Sequence, residues 1–194
     1  MNGKVAPKKR GRKKIPRDKS VTHTEELLAT WTRERPDLDL TTMFQAIAIF
    51  RMSKMLEHAT DVWCQDNYGI SGADLRVIFA LRRAGKPFQR RPTDLFRALL
   101  VTSGAITKQV DRLSEKGYVR RLPDPVHAGG YLVQLTARGK AAADRGATYL
   151  ATNSILNEAS KGLTAEEQRC GNVYVLRALA ELEKVSALAH SLDE

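Results

Sequence analysis

Apolar residues recur along most of this chain at gaps of three and four, the spacing of a helix face, and only one stretch alternates in twos. Thr22 and Thr24 precede a short helical stretch through Trp31 to Arg33, which must stop before Pro36 because the residue preceding a proline is driven out of the helical region. Arg35 to Leu40 reads as an extended connector. Thr41 and Thr42 are then expected to cap a long helix to about Asp66. Its Ala48, Met52, Met55, Ala59 and Val62 alternate gaps of four and three, with Ile49, Leu56 and Trp63 alongside. So wide a stripe predicts burial on more than one side.

Ser71, with Asp74 three residues on, forms an acidic capping box for a helix to Ala84, stopped by Gly85-Lys86-Pro87. Thr93 is expected to cap a short helix, Asp94–Leu100. The tight turn Val101-Thr102 leads into a helix Ser103–Lys116, closed by Gly117 at its C′ position. Two helices joined so tightly are a helix-turn-helix. Val119–Leu122 and Tyr131–Leu135 read as strands, the second alternating Tyr131, Val133, Leu135, with Pro, Asp and Gly turn chemistry between them. A β-hairpin after a helix-turn-helix is a wing. Thr136 is expected to start a long helix toward Ser160, and Thr164 with Glu167 caps a last helix to about His190. The fold class is mainly α with a small β-wing: a winged helix-turn-helix lobe plus a helical dimerisation region.

Charge changes this picture at one end. Residues 1–20 hold nine Lys/Arg against Asp18, so the net +10 of the chain sits almost wholly there. A Lys/Arg block without apolar partners cannot fold, but it releases counterions from a polyanion. Nucleic acid is the expected partner; the arm lacks the apolar face that a membrane surface requires. No apolar run approaches the roughly 20 residues of a membrane span. With only Cys64 and Cys170 a disulfide scaffold is excluded, and a cytoplasmic, nucleoid-associated location is expected. The domain reading is 1–20 a disordered basic arm, 21–66 N-terminal dimerisation helices, 67–140 the winged lobe, and 141–194 C-terminal dimerisation helices.

Candidate chemistry is sparse. No phosphate-binding glycine loop, nucleophile elbow or convincing acid pair appears, so an enzyme is not expected. The histidines at 23, 58, 127 and 190 have no metal-ligand spacing with one another or with either cysteine. In the second helix of the helix-turn-helix, Ile106, Val110 and Leu113 lie four and three apart and form the face packed into the lobe. Ser103, Gly104, Thr107, Lys108 and Arg112 fall largely on other faces, open to a major groove, and Gln109 is a further candidate for either DNA or a pocket. Arg120 and Arg121 on the following strand are placed to meet phosphate.

From Trp31 to about Lys184 the chain resembles the MarR family of transcriptional regulators. The densest stretch is Leu99-Leu100-Val101-Thr102-Ser103-Gly104-Ala105-Ile106-Thr107-Lys108-Gln109-Val110-Asp111-Arg112-Leu113-Ser114-Glu115-Lys116-Gly117-Tyr118-Val119-Arg120-Arg121, joined by Arg35-Pro36-Asp37-Leu38-Asp39, Leu81-Arg82-Arg83-Ala84-Gly85 and Leu135-Thr136-Ala137-Arg138-Gly139-Lys140. The resemblance implies a homodimer with intertwined terminal helices. It also implies a pseudo-palindromic operator on double-stranded DNA, and a small anionic aromatic effector held between dimer helices and lobe, with no cofactor. Repression relieved by a small aromatic acid is the activity implied. Two alternatives stay open: an oxidant-sensing regulator acting through cysteine, and an architectural protein that coats DNA.

The same resemblance supplies ligand candidates and two departures. Urate-responsive relatives use a Trp, an Asp and two Arg; Trp31 and Arg121 fit, but Arg76 stands at the Asp position and Gln109 at one Arg position. Urate is therefore disfavoured, and the added cation points to a carboxylate, with Trp31, His58, Arg76 and Arg121 as the candidate set. At the wing tip, Val126, His127, Ala128 and Gly129 stand where relatives carry Asp and paired Arg, leaving His127 as the one tip residue able to become cationic. Lys9-Arg10-Gly11-Arg12-Lys13-Lys14 resembles an AT-hook core, although Lys13 replaces the usual proline. Arg10 and Arg12 are thus candidates for the minor-groove contacts that the wing tip lacks, against the simpler reading of a nonspecific electrostatic tail.

Overall fold

The structure, a computed structural model, describes residues 22–192, with side chains described as far as Ser186. Arg10 and Arg12 lie outside the described residues. Eight helices and three short strands follow one another: α1 (His23–Glu34), α2 (Thr41–Tyr68), α3 (Gly72–Arg83), β1 (Gln89–Arg90), α4 (Pro92–Leu99), α5 (Ser103–Glu115), β2 (Val119–Pro123), β3 (Tyr131–Leu135), α6 (Ala137–Thr152), α7 (Ile155–Ser160) and α8 (Ala165–Leu192). Backbone contacts divide the chain inside α2, into a unit ending at Ser53 and a unit beginning at Lys54.

In the first unit, Thr22 caps α1: its hydroxyl accepts from the N–H of Glu25 while Glu25 accepts from the backbone of Thr22. Arg35 stays with Asp37 in a two-pronged ion pair at 2.7 and 2.8 Å, fixing the connector. The start of α2 differs from expectation. Asp39 accepts the N–H of Thr41 at 3.0 Å, so the side chain that serves this end precedes both threonines. The wide stripe of α2 is not covered by the described residues: Cys64 is its buried residue, whereas Ile49, Phe50, Met52, Met55 and Val62 are exposed.

The second unit holds the core. Leu75, Val77, Ile78 and Leu81 of α3 meet Leu95 of α4, Ile106, Val110 and Leu113 of α5, Val119, Val133 and Leu135 of the sheet, and Ala142 and Ala143 of α6. The sheet is antiparallel in the order β1-β3-β2, with Val119 opposite Leu135 and Arg121 opposite Val133. β1 is invisible to pattern reading because two residues carry no alternation; it exists by pairing Gln89 with Gln134. Gly139 lets the first turn of α6 lie on the start of β2, since a Cβ there would stand 2.0 Å from the carbonyl oxygen of Tyr118.

Two further boundaries correct the sequence reading. α4 begins at Pro92, not after Thr93: proline fits the first helical position, and Asp94 accepts the N–H of Arg91 at 3.3 Å. The long helix expected from Thr136 to Ser160 is two helices. Ser154, nearly buried, accepts from Asn157 and opens α7, while Asn153 ends α6.

Candidate nucleic-acid interface

α5 is held by its inner face and presents its outer one. Ile106, Val110 and Leu113 are fully buried. Thr102 caps the helix by accepting the N–H of Ala105 at 3.2 Å. The capping leaves Ser103, Gly104, Thr107 and Lys108 exposed on successive turns of one end. Nothing lies within 4 Å of where a Gly104 side chain would begin, so a phosphate or base can approach that backbone closely. Thr107 bonds back to the carbonyl of Ser103 at 3.1 Å, which leaves its hydroxyl oxygen facing outward as an acceptor. Lys108 has no ion pair among the described residues.

Two of the candidates on α5 are tied inward: Arg112, still 46% exposed, to Asp74, and Gln109, a candidate for either DNA or a pocket, by burial. The guanidinium of Arg112 grips the carboxylate of Asp74 on α3, with donor distances of 2.7 and 3.4 Å, and Asp74 is almost fully buried. That carboxylate also accepts the N–H of Ser71, so one acid closes the α3 capping box and anchors α5. The hydrogen bond to Asp74 pushes the Arg112 pKa further up, keeping it a fixed cation. Gln109 is 8% exposed, on the inner side, and its Oε1 has no hydrogen-bond partner among the described residues. Burial removes it from the groove.

The wing strands carry both expected arginines. Arg120 is exposed and donates to Gln134 at 2.8 Å. Arg121 ion-pairs with Asp111 of α5 and lies 4.9 Å from the centre of the Tyr131 ring, tying β2 to α5. At the wing root the structure adds an anchor that pattern reading passed over as turn chemistry. Asp124, its side chain 2% exposed, accepts from Arg91 at 2.6 Å and from the N–H of Val126 at 2.9 Å, with His127 Nδ1 3.5 Å away. Arg91 and the backbone donors hold its carboxyl down at about 2. A proline-flanked Asp with an Arg just before a helix start was the available signal; nothing local marks them as partners.

The ligand candidates are dispersed over both units. Trp31 is 43% exposed on α1 of the first unit. In the second unit His58 is exposed on α2, and Arg76 of α3 stands 3.6 Å from Glu57 rather than beside Asp74, whose carboxylate is occupied by Arg112. Cys64 is fully buried, and burial pushes its thiol up to about 11. Cys170 is exposed, and the neighbouring Arg169 does not make its setting electropositive. That arginine pairs with Glu166, and the same carboxylate accepts the Cys170 thiol, raising its pKa as well. Among the described residues no cluster of three His, Cys, Asp or Glu could hold a metal, and no helix is long and apolar enough to cross a membrane.

Comparison with known proteins agrees with this geometry. A sequence profile of the MarR family matches residues 68–128. The HTH-type transcriptional regulator PecS of Dickeya dadantii (strain 3937) is 30% identical over 120 residues, covering 62% of this chain and 72% of that protein. The multiple antibiotic resistance protein MarR of Escherichia coli (strain K12) is 37% identical over 98 residues, 50% of this chain and 65% of that one. Among solved structures, the reduced form of E. coli MarR superposes with a TM-score of 0.61 at 28% identity, covering 69% of this chain and 94% of that chain. A cysteine mutant of the same protein complexed with operator DNA gives 0.54 at 30% identity, covering 73% and 99%.

Proposed function

This chain belongs to the MarR family, and on that premise we propose that it is a sequence-specific transcriptional regulator, a repressor that leaves its operator when a small aromatic acid binds. The observation that carries the reading is the outer face of α5, where Ser103, Gly104, Thr107 and Lys108 stand exposed on a helix whose other side is locked into the core. Such a helix enters a major groove with its N-terminal residues at the base edges. A related structure contains operator DNA, which supports the same use here. Arg120 on β2 adds a cation for the phosphate backbone, and Arg10 and Arg12 of the arm add minor-groove or electrostatic contacts.

The working form is a homodimer on a pseudo-palindromic site. Its support is the apolar surface left bare in the single chain: Met55 and Val62 of α2, and Val175, Leu179, Leu182 and Val185 of α8, each about half exposed or more. A chain alone in water gains nothing from such rows, whereas a second copy would bury them. The effector is an anionic aromatic. Arg76, half exposed and only loosely paired with Glu57, is free to exchange partners for a ligand carboxylate. Trp31, His58 and Arg121 complete the candidate set, and the unpartnered Oε1 of Gln109 is an acceptor for a ligand hydroxyl. Oxidant sensing is the weaker reading, because both thiols are shifted away from the reactive thiolate.

The test is binding at fixed salt to the DNA upstream of the protein's own gene against a scrambled duplex, with full-length protein and a version lacking residues 1–20. Discrimination by both, with tighter binding by full-length protein, supports the regulator and makes the arm an affinity element. Loss of discrimination in both would leave an architectural protein that coats DNA. Titration with 4-hydroxybenzoate, followed by operator release in wild type and Arg76→Ala, tests the effector class.

A further inference from the structure

Two described residues other than glycine have positive φ, Phe88 at 60° and Leu100 at 54°. Phe88 has a packing reason: its ring joins the edge of the core and lies under Arg82 and Lys140, 5.2 and 5.8 Å from the ring centre. Leu100 has none. It sits in the turn between α4 and α5 with φ 54° and ψ 47°, the left-handed conformation that disfavours any Cβ. The residue is 91% exposed, the most exposed large apolar residue among the described residues, while Phe96, Leu99 and Val101 around it pack against the core. A glycine would make the same turn without strain and without placing an isobutyl group in water. Strain and exposure thus coincide at one residue, inside the motif that carries the proposed function.

We propose that Leu100 reads the operator through an apolar contact with a thymine methyl group, as a specificity residue beside the face of α5. Three peptide units separate it from Ser103, so its Cα lies within about 11 Å of the first residue of that helix. The exposed Ser103, Gly104 and Lys108 there favour a nucleic acid over an apolar protein partner. An aliphatic side chain cannot bond phosphate. Its one distinctive counterpart on duplex DNA is the thymine C5 methyl in the major groove. The inference rests on the regulator reading above, and adds the chemistry of one position to it.

The experiment uses full-length wild type, Leu100→Gly and Leu100→Asn on a duplex selected by the wild type from a randomised pool. Each thymine is replaced in turn by uracil, which deletes the methyl group alone. In wild type, one uracil per half-site weakens binding about fourfold, the worth of one buried methyl group. Both variants lose that sensitivity at that position and no other. Leu100→Gly, relieved of strain, melts at or above the wild-type temperature, so its binding defect is not misfolding. Identical uracil profiles in wild type and variants overturn the role of Leu100 and leave the regulator standing. A pool that yields no preferred sequence overturns the regulator reading, and this inference with it.

Discussion

Replacing Arg112 with alanine separates two roles that this position can have. The structure makes Arg112 a clamp: it is the cation that faces Asp74, whose side chain is 3% exposed. Removing it leaves a buried carboxylate with the N–H of Ser71 and no charge partner. Breaking a buried pair from one side costs about 3–5 kcal/mol, and the guanidinium is 46% exposed, so water relieves part of this; about 2–3 kcal/mol is the expected loss. For a chain of this size that lowers the melting temperature by about 5–10 °C. Asp74→Asn in an otherwise wild-type chain removes the other charge. The double variant should then be less destabilised than the two single losses together, because neither leaves a new unpaired charge. Thermal melts and urea unfolding of the four proteins give the cycle, and operator titrations at fixed salt run beside them. An Arg112→Ala protein that melts like wild type yet loses operator affinity would refute the clamp and return Arg112 to the DNA, where helical spacing alone had put it.

Lys108→Ala should weaken binding to all duplexes alike and reduce the slope of log affinity against log salt by about one, if Lys108 meets a phosphate; an unchanged slope places it off the DNA. The Asp124 carboxyl, held at about 2 in the folded wing, is depressed from its unfolded value. Its contribution is therefore complete above the ordinary carboxylate range and lost as pH falls through about 2, and Asp124→Asn should flatten that acid limb in circular-dichroism titrations. Gly139→Ala drives a Cβ to within 2.0 Å of the Tyr118 carbonyl, a backbone atom that cannot swing aside. It should cost about 3 kcal/mol or more, and a wild-type melting temperature would show that α6 does not abut β2 as described.

How much was legible in the sequence divides along a physical line. The capping boxes at Ser71–Asp74 and Thr164–Glu167 are local, four residues long, and each is present in the structure, as is the one at Thr22–Glu25 that the sequence reading did not name. The buried face of α5 follows from spacing alone, as does the alternation of Tyr131, Val133 and Leu135 on the second wing strand; the register of that strand with its partners does not. What failed was set by partners distant in sequence. Arg112 and Gln109 flank the Ile106–Val110–Leu113 stripe, and a helical wheel cannot say that Asp74, 38 residues earlier, waits beside one of them. The pairing of Arg91 with Asp124 spans 33 residues and is likewise unmarked locally. The stripe on α2 was legible as a stripe, but its reading as a dimerisation surface came from the family resemblance, because periodicity records that a surface is to be buried and not by what.

These ties bear on how an effector would act. α5 is joined to α3 through Arg112 and Asp74, to β2 through Asp111 and Arg121, and the wing root is joined to the start of α4 through Asp124 and Arg91. Helix, wing and scaffold are thereby cross-braced, and bending α5 alone would break its pair with the buried acid at 74 and its pair with Arg121. An effector at Arg76 would instead exchange with Glu57, an ion pair between α2 and α3 that lies outside this bracing. On the proposed function, its differential binding energy would act at this α2–α3 pair, turning the braced lobe as one body and changing the spacing of two such lobes in the proposed dimer. The consequence is specific: charge reversal at Glu57 to Lys should mimic the ligand, weakening operator binding in its absence while leaving the melting temperature of the lobe nearly unchanged. Operator affinity equal to wild type in Glu57→Lys would mean that this joint does not transmit the signal.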